Sequence, residues 1–214
     1  MARPYILASG SPRRIEMMRA NGYDPLIMPS DIDENLPLHS GMTETAMFLA
    51  LKKAQDVERN WLASRQNVLS DGTDASVVSD LPPVIIAADT IVFYDGEIMG
   101  KPADREDAFR MLAALRGQVH YVATGVALVE AGMQNTRVFC DITRVFFTDY
   151  SDEELLVYLD TDEAYDKAGA YAIQGYFSRY VDHIEGDYNN VVGFPWDRIM
   201  KELKHFENET KTYL

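Results

Sequence analysis

The sequence predicts an α/β protein with a mixed central sheet and flanking helices. Three observations carry that reading. Short apolar, strand-like runs are each followed by helix-start signals. Two long hairpin-like stretches require antiparallel pairing. Between them lie segments whose apolar residues recur at helical spacing. The chain has 214 residues, which fits one domain or one domain with two lobes.

The elements follow in order. Pro4 to Ser9 reads as a strand. Ser11 takes an N-cap position with Pro12 at the first helical position, and the helix runs through Ile15, Met18 and Arg19 to Gly22. Residues 25–34 read as extended and end in the acidic Ser30-Asp31-Ile32-Asp33-Glu34. A helix beginning near Thr43 has an apolar stripe of Met47, Ala50, Leu51, Ala54, Val57 and Trp61. Residues 64–83, rich in Ser, Asp and Pro and without periodicity, are expected to form a mobile surface loop within the single domain 1–214.

Val84 to Tyr94 is an apolar run interrupted by Asp89-Thr90, and so a buried strand. Asp95-Gly96 is a two-residue hairpin signal, with Glu97 to Gly100 returning. Asp104 caps a helix, Asp107 lies close to a capping-box position, and Ala108, Met111, Leu112 and Leu115 form the buried stripe before Gly117. Gln118–Glu130 and Gln134–Thr148 read as strands joined at Ala131-Gly132. Ser151 and Glu154 form a capping box for a helix through Leu159. Residues 166–188 hold a glycine-punctuated loop and a further strand, and Pro195 opens a last helix toward Phe206.

Composition excludes several classes. Lys plus Arg number 20 and Asp plus Glu 34, so the formal charge of −14 opposes a general nucleic-acid binder. It leaves room for one anionic small molecule held by a local basic cluster. The single Cys140 rules out a disulfide framework. No run approaches the roughly 18 apolar residues of a membrane helix. The first residues lack a signal-peptide apolar region, so a cytoplasmic location without membrane contact is expected. His39, His120, His183 and His205 lack metal-ligand spacing.

Four constellations can carry chemistry. Ser9-Gly10-Ser11-Pro12-Arg13-Arg14 joins a strand to a helix start, where free N–H groups favour an anion and arginine forks match phosphate; otherwise both arginines are solvated surface. Asp89 in an apolar strand is paired with a cation, bound to a metal or set at a cleft floor, or else makes a structural salt bridge or cap. Gly96 to Lys101 is not a P-loop, because three residues separate the glycines and Pro102 follows the lysine. Lys101 is therefore either a phosphate ligand or a surface lysine. In Asp166 to Gly175, small residues flank Gln174, whose amide suits the N3–H and O4 edge of uracil or thymine; an ordinary strand with turn glycines explains the segment equally.

Taken together, LASGSPRR (7–14), SDIDE (30–34), ALKKA (50–54), AADTIV (87–92), DGEIMGKP (95–102), ATGVAL (123–128), DKAGAYAIQG (166–175) and EGDYNNVVGFP (185–195) resemble the Maf family of nucleoside triphosphate pyrophosphatases. The resemblance implies two lobes around a cleft, often a homodimer, and hydrolysis of a nucleoside triphosphate between the α and β phosphates with Mg²⁺ or Mn²⁺. AADT with DKAGAYAIQG is similar to the branch acting on dTTP and UTP, not the branch acting on 7-methyl-GTP. A nucleotide-binding regulator of cell division without useful catalysis is the reading from another class.

By the same resemblance, Asp89 matches the proton acceptor. Arg13, Thr90 and Gln174 match base-selecting positions. Ser9, Arg14, Glu34, Lys53 and Lys101 match polar positions around the phosphates and metal. Oxygen ligands such as Glu34 and Asp89 suit a hard cation. The 64–83 stretch is longer than the family's usual connection.

Overall fold

The computed structural model describes residues 3–33, 41–70 and 81–211, with backbone only for 67–70 and 209–211. Its elements run β1 (Tyr5–Leu7), α1 (Pro12–Ala20), β2 (Leu26–Ile27), α2 (Met42–Ser70), β3 (Val84–Tyr94), β4 (Glu97–Met99), α3 (Arg105–Leu115), β5 (Val119–Glu130) and β6 (Thr136–Phe147). They continue with α4 (Asp152–Leu159), two 3₁₀ turns (Ala168–Ala170 and Tyr176–Tyr180), β7 (Val181–Glu185), α5 (Tyr188–Val192) and α6 (Trp196–Lys211).

Among the described residues the sheet has the order β2-β1-β3-β5-β6-β7, with β4 also on β3. β1 runs parallel to β2 and β3, and the remaining pairs are antiparallel. The predicted mixed sheet is thus observed. Asp95 and Gly96 both take positive φ (+49° and +84°), the combination a two-residue hairpin needs to match strand twist. The Ser151–Glu154 capping box is present, and Asp104 caps α3 by accepting from Asp107 N–H. Ser11 occupies the N-cap of α1, but its side chain makes no capping bond.

One boundary differs. A loop is expected from residue 64, yet α2 continues to Ser70. Ser64 to Ser70 lack apolar periodicity, but they contain no Gly or Pro to stop an established helix. Residues 71–80 of the expected loop lie outside the described residues, as does Glu34, while 81–83 are irregular as expected.

Strand alternation sends successive β3 side chains to opposite faces. Val84, Ile86 and Ala88 join Leu7, Met18, Phe194, Ile199 and Phe206 in a core against α1 and α6. Ile85 and Ala87 join Ala50, Ala54 and Val57 of α2 on the other face. A second body packs α3, α4 and the 3₁₀ turns on Val92, Val122, Val145 and Phe147, around Leu112, Tyr158 and Phe177.

The cleft begins where the sheet opens. β5 pairs with β3 from Val84 to Phe93. On the opposite edge β1 covers only Val84–Ile86 and β4 only Val92–Tyr94. The edge between them is a gap, and Asp89 and Thr90 lie in it.

α2 approaches the sheet closely at this level. Its buried residues begin at Thr45 and Ala46, earlier than the predicted stripe, and Met47 is only half-buried. The cause is Gly125, which pairs with Asp89 in β5. A Cβ on Gly125 would collide with the backbone of Ala46. Gly125→Ala should therefore lower the urea midpoint at unchanged m, costing about 1–3 kcal/mol as overpacking does.

Candidate active site

Asp89 points to the α2 face and Thr90 to the α1 and α5 face, and the gap lets both line one cleft of about 310 Å³. Asp89 is 7% exposed. Its Oδ1 accepts from Lys53 Nζ at 2.5 Å. The helical spacing that buries Ala50 and Ala54 hangs Lys53 over the strand between them. A carboxylate this deep requires a partner, and the structure shows Asp89 both paired with a cation and lining a cleft. Asp89 Oδ2 makes no hydrogen bond among the described residues.

The Thr90 side is a hydrogen-bonded network. Arg14 donates from Nε to Gly193 O (2.9 Å), from Nη1 to Ala88 O (2.8 Å) and Ser9 Oγ (3.1 Å), and from Nη2 to Thr90 Oγ1 (3.2 Å). It thereby satisfies a carbonyl at the open strand edge. Thr90 Oγ1 lies 3.0 Å from Thr124 Oγ1, which donates to Asn190 O at 2.9 Å. The Asn190 side chain donates to Val122 O and Thr143 Oγ1 at 3.0 Å. Gly193 takes φ +102°, and a Cβ there would sit 2.9 Å from Thr90 Oγ1.

The two arginines therefore differ. Arg14 is a strut, bonded to four groups of the scaffold. Arg13 lines the cleft and makes no hydrogen bond within the described residues. Ser9 stands behind the wall, holding Arg14 and the Ser11 N–H. Lys101 lines the cleft from the segment after β4.

The reading from sequence did not single out Lys167, which lines the cleft beside Asp166 and is hydrogen-bonded to it. Burial raises the Asp166 pKa, but the Lys167 hydrogen bond and charge, with Arg13 nearby, hold its carboxyl below the ordinary value. Five cations, Arg13, Arg14, Lys53, Lys101 and Lys167, thus face two carboxylates in a chain whose total charge is −14. A local positive field of that kind suits a polyanion.

Gln174 lies apart from this group. It is exposed in a turn between the 3₁₀ segments and lines a separate groove with Ser178, His183 and Tyr188. The residues before it, Asp166 to Ala168 and Tyr171 to Ile173, do reach the cleft.

A Maf-like protein family model matches residues 4–206. The chain belongs to the Maf family. Its curated relatives include the dTTP/UTP pyrophosphatase of Caldicellulosiruptor bescii, 41% identical over 91% of this chain and 90% of the relative. That of Desulfitobacterium hafniense is 42% identical over 94% and 84%. That of Bacillus mycoides is 40% identical over 97% of both.

In this Maf chain the segment DKAGAYAIQG is anchored from below. Tyr171 Oη lies 2.8 Å from Nε2 of His120, a fully buried side chain. Burial pushes the His120 pKa down to about 3, so the imidazole is neutral. Gly169 N–H bonds to Gly100 O, which ties the same segment to the Lys101 loop.

Two predictions follow from these contacts. Arg14→Ala should cost about 2 kcal/mol in denaturant unfolding, since it leaves buried acceptors unpaired. Arg13→Ala should leave the unfolding midpoint within about 0.5 kcal/mol and weaken triphosphate binding roughly tenfold or more by calorimetry.

His120 in the unfolded chain protonates near 6.5, but in the folded protein only near 3. The unfolded state binds more protons between those values, so stability is fully present above 6.5 and falls as pH drops toward 3. Comparing urea midpoints at pH 7 and pH 5, His120→Gln should lack a loss of about 2 kcal/mol that the parent shows.

Proposed function

We propose that this Maf protein hydrolyses dTTP and UTP to the nucleoside monophosphate and pyrophosphate. The observation that carries the reading is the Asp89–Lys53 pair at the floor of a cleft walled by cations. The names borne by the relatives favour the pyrimidine substrates over 7-methyl-GTP.

Arg13, Lys101 and Lys167 draw the triphosphate into the cleft. Lys53 fixes Asp89 through Oδ1, leaving Oδ2 for a water. Asp89 takes a proton from that water as its oxygen attacks the α-phosphorus. The bond from that phosphorus to the α–β bridging oxygen breaks, and pyrophosphate carries away the electron pair. Base catalysis of this kind contributes roughly 10² to 10⁴ in rate, and the cations stabilise charge growing on the leaving group.

A Mg²⁺ or Mn²⁺ ion belongs to the same proposal. Among the described residues no three His, Cys, Asp or Glu gather as an all-protein metal cage. One buried carboxylate with an oxygen to spare fits a cation that takes its other ligands from phosphates and water. Asp89 would hold it, with Glu34 as the second ligand implied by family likeness. Bound there, the ion would neutralise phosphate charge.

A homodimer in the cytoplasm completes the proposal. Tyr121 and Ile142, exposed on one face of β5 and β6, offer apolar surface for self-association. Among the described residues no helix is long and apolar enough to cross a membrane.

With Mg²⁺ and a nucleotide panel, dTTP and UTP should yield monophosphate and pyrophosphate. In ¹⁸O-labelled water the label should enter the monophosphate. Release of orthophosphate, or label in pyrophosphate, refutes the bond assignment. Asp89→Asn should reduce kcat at least about 10²-fold while nucleotide binding persists.

A further inference from the structure

A threonine hydroxyl has one proton and two lone pairs. Thr124 is fully buried, and its Oγ1 lies 2.9 Å from Asn190 O. A carbonyl cannot donate, so Thr124 spends its only proton there. The contact of 3.0 Å between Thr124 and Thr90 must then run the other way, with Thr90 donating. Arg14 Nη2, a pure donor, occupies one Thr90 lone pair at 3.2 Å. What Thr90 retains toward the cleft is a single lone pair.

Asn190 holds the ladder's far end. It is fully buried, and its amide donates to Val122 O and Thr143 Oγ1. Thr143 in turn donates to Asp187 O at 2.9 Å. The Asn190 backbone carbonyl is thereby fixed against Thr124, and the proton order cannot reverse without orphaning a buried group.

From this arrangement we infer that Thr124 and Asn190 are positioning residues that set Thr90 as an acceptor-only group, which takes the N3–H of a uracil or thymine ring. The inference rests on the substrate reading above. Ionised phosphates offer only acceptors, so they do not satisfy this lone pair. Sugar hydroxyls donate and accept alike and do not require a hydroxyl of fixed polarity. The imide N–H only donates and needs a fixed acceptor. Cytosine presents a lone pair at N3 and meets repulsion.

The test compares UTP with CTP. Thr124→Val keeps the shape and frees the Thr90 proton to turn toward the cleft. It should narrow the UTP:CTP ratio of kcat/KM about tenfold, whereas Thr124→Ser should hold the parental ratio. A folded Thr124→Val protein with the parental ratio overturns the inference. Should that variant not fold, Thr90→Val, at a half-buried position, replaces it. It should narrow the ratio similarly, with Thr90→Ser restoring it, and an unchanged ratio again overturns the inference.

The same ratio is read as equilibrium affinities of UTP and CTP on an Asp89→Asn background. A parent that releases no pyrophosphate then refutes the hydrolytic reading, while the affinity ratio still judges the hydroxyl ladder. A parent with no preference for UTP over CTP overturns the ladder's role.

Discussion

The cleft exists because β3 loses its neighbour on one edge between Ile86 and Val92 while keeping β5 on the other. An open edge inside a sheet leaves carbonyls and amides that must find partners. Here Ala8 N–H extends the β1 pairing to Ile86 O, and Arg14 closes on Ala88 O. The chain turns from β1 into α1 at this point, so the helix start and the gap arrive together. Ligands of open α/β sheets commonly enter where neighbouring strands part, and the gap is this molecule's version of such a place.

An edge opening also brings the two faces of one strand into the same cavity. In an intact sheet Asp89 and Thr90 would face opposite layers and share nothing. Through the gap they become adjacent walls with different chemistry. The Asp89 wall carries charge, a carboxylate locked to Lys53 from α2. The Thr90 wall is a ladder of hydroxyls and carbonyls running through Thr124 to Asn190. Arg14 ends that ladder and anchors it to Gly193 and Ser9. Setting an ion-paired wall beside a directional, hydrogen-bonded one suits a ligand with a polyanionic end and a ring carrying donors and acceptors.

Most of this fold is legible in the sequence because local chemistry decides it. Asp95-Gly96, the Ser151–Glu154 box and the Asp104 cap each specify a turn or a helix start unaided. The apolar run of β3 with polar Asp89-Thr90 inside marks the site, since buried polar groups in such a strand require a reason. What local pattern does not give is depth and partner. Periodicity alone does not place the α2 stripe, because Gly125, far along the chain, sets how closely the helix approaches. Arg13 and Arg14 are equivalent as letters. Only the fold shows that Arg14 is spent on the scaffold while Arg13 lines the cleft without a hydrogen bond among the described residues. Thr124 and Asn190 read as an ordinary strand residue and an ordinary helix residue, and their role is visible only through register and proton counting.

The acidic balance of the chain and its cationic cleft are compatible because charge acts locally. At physiological ionic strength exposed charges are screened beyond about 8 Å, so carboxylates on distant faces neither cancel the cleft nor repel its ligand once docked. Inside, the cations act at contact distances and with less water between them, where each is worth far more than at the surface. Asp166 limits that field: its carboxylate is tied to Lys167, and the pair presents less bare charge than a lone lysine would. A cleft composed only of free cations would hold product pyrophosphate as firmly as substrate. Pairing Lys53 with Asp89 and Lys167 with Asp166 tempers the attraction, while Arg13 and Lys101 remain without hydrogen bonds among the described residues. The cleft thus holds two cations that make no bond to the scaffold and a carboxylate, Asp89, fixed by a third that does.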